Sequence, residues 1–148
     1  MIRVYTDGAC RGNPGPGGWA WASGPNDYAS GAEAHTTNQR MEVMAVIDAL
    51  RAHPEGPIEI VSDSNYVVKC FHDRWYEGWQ RRNWKNSKGQ PVANRDLWET
   101  LVPLVVNSER AVTFSWVKGH SGDLMNDFVD GLATSAADTQ RGRHSSPR

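Results

Sequence analysis

The chain has 148 residues, 17 acidic against 16 basic, and a formal charge of −1 at pH 7, which fits one domain with a sizeable core and leaves no room for two of ordinary size. With no net positive charge there is no global pull on nucleic acid, so any basic footprint has to be local. The two cysteines, Cys10 and Cys70, exclude a disulfide framework and a cysteine zinc site and suit a reducing compartment. No charged leader with an apolar run opens the chain, and no apolar stretch reaches the ~20 residues of a membrane helix, so a soluble, cytoplasmic protein with no membrane partner is expected.

Ile2 to Asp7 alternates Ile2 and Val4 with Arg3, Tyr5 and Asp7, the periodicity of a strand that ends on a carboxylate. Gly8 to Gly18 reads as a turn-rich loop. Trp19 to Ser23 and Tyr28 to His35 read as strands around the turn Gly24, Pro25, Asn26 and Asp27, an antiparallel hairpin behind the first strand. Thr36, Thr37 and Asn38 supply cap chemistry for a helix in which Val43, Val46, Ile47 and Leu50 recur at helical spacing, until His53, Pro54 and Gly56 stop it. Ile58 to Asp63 is the next strand. Because a helix precedes it, a parallel crossover to the first strand is the natural connection, and this brings Asp7 and Asp63 to the same sheet end.

Ser64 caps a short helix through Phe71, and Trp75 to Lys85 is a basic, tryptophan-rich segment that is helical at first. Lys88 to Pro91 is a loop. Leu97, Leu101, Leu104 and Val105 predict a helix over Asp96 to Val106, with Pro103 counting against its continuity. Val112 to Val117 is the fifth strand, and a helix from Met125 to Ala137 follows the loop Lys118 to Leu124. Residues 1–137 therefore form one domain, and 138–148, polar and without apolar anchors, read as a disordered tail.

Gly15, Gly17 and Ala20 have the spacing of a dinucleotide-binding loop, but they lead into Trp19, Ala20, Trp21 and a hairpin instead of a helix whose amino terminus could meet a pyrophosphate. The carboxylates say more. Taken singly, Asp7 and Asp63 are ordinary strand-terminal turn residues, Glu42 is a first-turn acid favoured by the helix dipole, and Asp130 is a solvated helix residue. Together, at the ends of elements that can pack side by side, they repel one another unless some are protonated or a multivalent cation sits between them. Such a set without cysteine or clustered histidine favours a hard, oxygen-liganded ion, Mg2+ or Mn2+, over zinc. Asp127 shares a helix face with Asp130 and competes for its place. From Arg74 to Arg95, the bases Arg74, Arg81, Arg82, Lys85, Lys88 and Arg95 stand against the single acid Glu77, interleaved with Trp75, Trp79 and Trp84. This is the one local basic cluster.

Five blocks resemble the type 1 ribonuclease H family in content, order and spacing, from Ile2 to about Ala137: Thr6 to Cys10 with Gly12 to Gly18, Thr37 to Glu42, Ser62 to Ser64, Trp116 to His120, and Asn126 to Asp130. The resemblance implies an α/β ribonuclease H-like fold, a mixed five-stranded sheet made of a three-strand antiparallel meander plus two parallel strands, flanked by helices. It implies a monomer that cuts the RNA strand of RNA/DNA hybrids with two divalent ions, Mg2+ or Mn2+, leaving 5′-phosphate and 3′-hydroxyl ends. It makes Asp7, Glu42, Asp63 and Asp130 the catalytic metal ligands and His120, between Gly119 and Gly122, a mobile catalytic histidine. It also makes the segment with Trp75, Arg81, Arg82 and Lys85 a protrusion that grips the DNA strand. Asn13, Thr37 and Asn94 then lie near a DNA phosphate, and Asn38, Gln39 and Asn65 near minor-groove edges and sugars. Gln39 and Asn65 depart from the Asn and Gln common in the family, keeping an amide with a changed reach. Integrases and junction resolvases also cluster carboxylates at these strand ends, but the asparagine-rich block from Thr37 to Glu42 argues against them. The full carboxylate set argues against a non-catalytic hybrid-binding module, because clustered acids hinder binding of an anionic ligand.

Overall fold

A computed structural model of the chain describes residues 1–119 and 121–145. Strands β1 (Ile2–Cys10), β2 (Gly15–Gly24) and β3 (Asp27–Thr36) form an antiparallel meander, and α1 (Asn38–Ala52) carries the chain back to β4 (Ile58–Ser62). Helices α2 (Asn65–His72), α3 (Trp75–Arg81) and α4 (Arg95–Val106) precede β5 (Val112–Trp116), and α5 (Leu124–Thr139) follows it. The sheet order is β3-β2-β1-β4-β5, antiparallel within the meander and parallel from β1 to β4 and from β4 to β5. This is the mixed sheet expected from the sequence. In the β1–β4 register Thr6 faces Ser62, so Asp7 and Asp63 leave neighbouring strands at the same end.

The glycine-rich stretch that reads as a long loop is mostly strand. Gly8 pairs with Trp19 and Cys10 with Gly17, and only residues 11–14 connect the two strands. Glycine is needed here for packing, not turning. A Cβ on Gly8 would stand 2.5 Å from the Glu42 nitrogen, and one on Gly18 would stand 2.6 Å from the Ala137 nitrogen, so α1 and α5 lie directly on the sheet backbone from opposite sides. The α1 side holds the larger core, with Val4, Trp21, Val46, Ile60, Val67, Trp98 and Leu101 buried. The α5 side is thinner, closing Ala20 and Ala22 against Val129, Leu132 and Ala133.

The helix expected over Asp96 to Val106 is present, whereas the residues after α5 depart from the disordered tail expected. Helix α4 runs unbroken through Pro103; Pro103 and Glu99, four residues earlier, are both exposed, so the carbonyl that loses its partner is on the wet side. Residues 140–145, which lack the apolar anchors of a docked tail, are held by hydrogen bonds instead. Ser30 N–H donates to Arg143 O at 2.6 Å, Ser145 N–H donates to Tyr28 O at 2.9 Å, and the Gln140 amide reaches Gly17 O. They lie along β3, the edge strand of the meander, and cover part of an edge that would otherwise present unpaired backbone groups. Among the described residues no helix is long and apolar enough to cross a membrane.

Candidate active site

Each carboxylate is delivered by a different element to the same sheet end. Asp7 is on β1 with its Oδ1 accepting from the Gly8 N–H at 2.8 Å, and it is only 5 % exposed. Glu42 is the fifth residue of α1, in its second turn and not its first. The close contact at Gly8 sets its backbone against β1 immediately after Asp7. Thr37 caps α1 by accepting from Arg40 N–H, and Asn13 Oδ1 accepts from Asn38 N–H at 3.0 Å, so two otherwise unpaired donors of the first turn are satisfied. Asp63 follows β4, and Ser64 after it caps α2 while its hydroxyl donates to Glu42 Oε1 at 2.9 Å. Asp130, the acid that the family resemblance selects, sits on α5 beside Asp7, while its competitor Asp127 is exposed.

The electrostatics follow from this crowding. Burial, and next the negative charge of Asp63, push the Asp7 carboxyl up to about 8, against the opposing pull of the Gly8 N–H; the Asp130 carboxylate adds to the rise. Burial likewise pushes Glu42 up to about 7, with Asp63 adding to it and the Ser64 hydroxyl opposing. Gly119 completes the arrangement, since a Cβ there would stand 2.9 Å from Asp63 Oδ2 and would push that carboxylate aside.

An open cleft of about 600 Å3 leads away from Glu42 and Asp63. Asn13, Thr37, Asn38, Gln39, Asn65 and Asn94 all line it. A bidentate pair between Arg40 and Asp96, at 2.9 and 2.7 Å, ties together the first turns of α1 and α4, the helices that begin after Thr37 and Asn94. The RNase H family model matches residues 1–138 of the chain. The chain belongs to the ribonuclease H family. Ribonuclease H of Syntrophomonas wolfei is 50% identical over 140 residues, 91% of this chain and 94% of the relative. That of Pelobacter propionicus is 46% identical over 145 residues, 95% of this chain and 87% of the relative. Among solved structures, LC9-RNase H1, a type 1 RNase H with the type 2 active-site motif, is 31% identical with a TM-score of 0.79, covering 97% of this chain and 77% of that one. LC11-RNase H1 in complex with RNA/DNA hybrid shares the fold at 20% identity and a TM-score of 0.72, covering 95% and 99%.

In this member of the ribonuclease H family the structure thus brings together the four carboxylates and the six cleft residues expected from the sequence. The basic segment stands beside them. Arg81, Arg82 and Lys85 are exposed on α3 and the turn after it, and Trp75 joins the cleft wall through Tyr66, their ring centroids 6.3 Å apart. His120 lies outside the described residues. Ser64, expected from the sequence only as a helix cap, and Tyr66, not singled out there, also line the cleft. The Tyr66 oxygen accepts from Asn94 Nδ2 at 3.1 Å and from Trp98 Nε1 at 2.7 Å, so its O–H is left to donate to a ligand. The only signal for Ser64 is its place between an aspartate and a helix, and Tyr66, inside α2, has none.

Proposed function

We propose that this chain is an endonuclease that hydrolyses the RNA strand of RNA/DNA hybrids with two Mg2+ ions, leaving 5′-phosphate and 3′-hydroxyl ends, and that it acts as a monomer in the cytoplasm. The observation that carries the reading is a ribonuclease H chain with four carboxylates at one sheet end, two of them holding their protons well above the usual range, at the head of a cleft lined with side-chain amides. Cys10 and Cys70 are free thiols, as suits a reducing compartment.

Asp7, Glu42, Asp63 and Asp130 are the residues that would hold the ions, which when bound would activate a water and neutralise charge on the leaving oxygen. The donor set fits in kind, being all oxygen with Asp7 and Glu42 raised by burial and like charge, both of which a cation offsets. No three described His, Cys, Asp or Glu side chains close around one point, and Glu42, drawn onto Ser64, is one that has to turn. Asn38, Gln39 and Asn65 read the minor groove, where Glu42 serves as an acceptor for a 2′-hydroxyl. Asn13, Thr37 and Asn94 hold a DNA phosphate. His120 moves a proton during water attack or product release.

Purified protein offered RNA/DNA hybrid, duplex RNA, duplex DNA and single strands should cut only the RNA of the hybrid, with Mg2+ or Mn2+ and not with EDTA. Processing of duplex DNA would make it a DNA nuclease on the same fold, and hybrid binding without cutting would make it a binding module. The basic segment should add affinity and no chemistry. Replacing Arg81 and Arg82 with Ala is expected to weaken hybrid binding and flatten the slope of log affinity against log salt by up to about 1.5, if each arginine neutralises one phosphate, while saturating turnover survives. An unchanged slope and affinity would reduce the cluster to a solvated face.

A further inference from the structure

Trp116 is the last residue of β5 and faces Ser62 across the β4–β5 ladder. It is 49 % exposed, one of four large apolar side chains so exposed among the described residues. Trp21 and Trp98 of the α1 side, by contrast, are fully covered. The indole N–H groups of Trp21 and Trp98 donate to side chains, Asp48 and Tyr66, whereas that of Trp116 donates to the main chain. The indole Nε1–H donates to the main-chain oxygen of Asp63 at 3.1 Å.

That bond falls at the junction where β4 gives way to α2, and the residues on either side of Asp63 are already tied. Val117 N–H donates to Ser62 O at 3.0 Å, and Ser64 N–H donates to Ser62 Oγ at 3.0 Å. Ser64 in turn caps α2 and holds Glu42. The peptide between Asp63 and Ser64 lies outside the β4 ladder and comes before the first turn of α2. Its carbonyl therefore takes its partner from a side chain, and that side chain belongs to the strand whose following loop runs past the Asp63 carboxylate at Gly119.

We infer that Trp116 is a positioning residue for Asp63: by holding the Asp63 carbonyl, its indole N–H fixes the direction of the carboxylate toward Asp7 and thereby tightens metal capture. The inference rests on the proposed role of Asp63 as a metal ligand. Hydrogen bonds to groups just behind metal ligands govern affinity because an ion-binding set tolerates only small displacements of its oxygens. The loss expected from one such bond, made through the ligand's own backbone, is about fivefold to tenfold in metal affinity. The ring itself gives little of this, since half of it faces solvent.

The test is Mn2+ binding to the substrate-free protein, measured by titration calorimetry for wild type, Trp116→Phe and Asp63→Asn, alongside hybrid affinity in EDTA. Trp116→Phe keeps most of the ring and removes the donor. It should raise the Mn2+ dissociation constant about fivefold to tenfold, raise the Mn2+ concentration for half-maximal cleavage by the same factor, and leave hybrid affinity in EDTA unchanged. Wild-type Mn2+ affinity in Trp116→Phe, with the affinity lost in Asp63→Asn, would overturn the positioning role alone. Unchanged affinity in both variants would overturn the metal role of Asp63 on which it rests. An equal fall in hybrid affinity in EDTA would make Trp116 a substrate contact and overturn the inference as well. If Trp116→Phe fails to fold, site-specific replacement of Trp116 by benzothienylalanine, which exchanges only the N–H for sulfur, carries the same expectations.

Discussion

Asp7→Asn should lower hybrid cleavage about a thousandfold and, in the absence of metal, make the protein more stable instead of less. The first effect is the loss of about 4 kcal/mol of transition-state stabilisation that a metal held by Asp7 supplies. The second follows from the direction of the shift. The Asp7 carboxyl is raised from 3.8 to about 8 in the fold, first by burial and then by Asp63. The stability contributed by its proton is fully present below the unfolded value and is lost as pH climbs toward and through the folded one, because the unfolded chain ionises first. Glu42, raised from 4.5 to about 7, acts with the same sign. Metal-free wild type should therefore weaken between about pH 4 and pH 8, and Asn at position 7 should flatten that decline. After solvent relaxation at an open site, a gain of about 2 kcal/mol at pH 8 is expected. Urea melts in EDTA at pH 5 and pH 8, repeated with Mg2+, measure it: Mg2+ should stabilise wild type and do little for the variant. A folded Asp7→Asn protein that cuts at the wild-type rate would remove the mechanism, and equal stability at pH 8 would remove the electrostatic account of the site.

The convergence of Asp7 and Asp63 was legible because it depends on a handedness and topology rule acting on two strand patterns and one helix pattern, all strongly marked by Val4, Ile60 and the Val43 to Leu50 repeat. What stayed hidden depends on backbones approaching each other. Gly8 and Gly18 sit inside strands because helices rest on them, and sequence periodicity counts side chains, so a strand paved with glycine looks like a loop. Ser64 and Tyr66 entered the site through hydrogen bonds to Glu42 and Asn94, partners 22 and 28 residues away, which no local pattern encodes. The segment 140–145 is polar and docks by backbone pairing to Tyr28 and Ser30, an interaction blind to hydropathy. The helix across Pro103 was legible from Leu97, Leu101, Leu104 and Val105, and it stays continuous because the carbonyl that Pro103 orphans meets water.

The contact at Gly18 makes a demand on stability and links it to the site. Gly18 lies in β2 between Ala9 of β1 and Ala32 of β3. A methyl group there would meet the Ala133 oxygen, stand 2.6 Å from the Ala137 nitrogen and 2.7 Å from the Ala136 Cβ. Two of these are helix backbone that no rotamer change can move, so Gly18→Ala has to lift α5 from the sheet and loosen the packing of Val129, Leu132 and Ala133. A loss of about 3 kcal/mol is expected from overpacking of this kind. Asp130 rides on the same helix next to Asp7, so the displacement should also cut turnover by about tenfold to a hundredfold. Gly131 provides the control on the same helix. It is exposed, with nothing within 4 Å of a Cβ, so Gly131→Ala should raise stability by about 0.5 to 1 kcal/mol through helix propensity alone and leave turnover as it was. Denaturant melts and saturating cleavage rates on both variants decide the matter: if Gly18→Ala melts like wild type, α5 does not rest on β2 as described, and if it melts early yet cuts normally, Asp130 is not held in place by that contact.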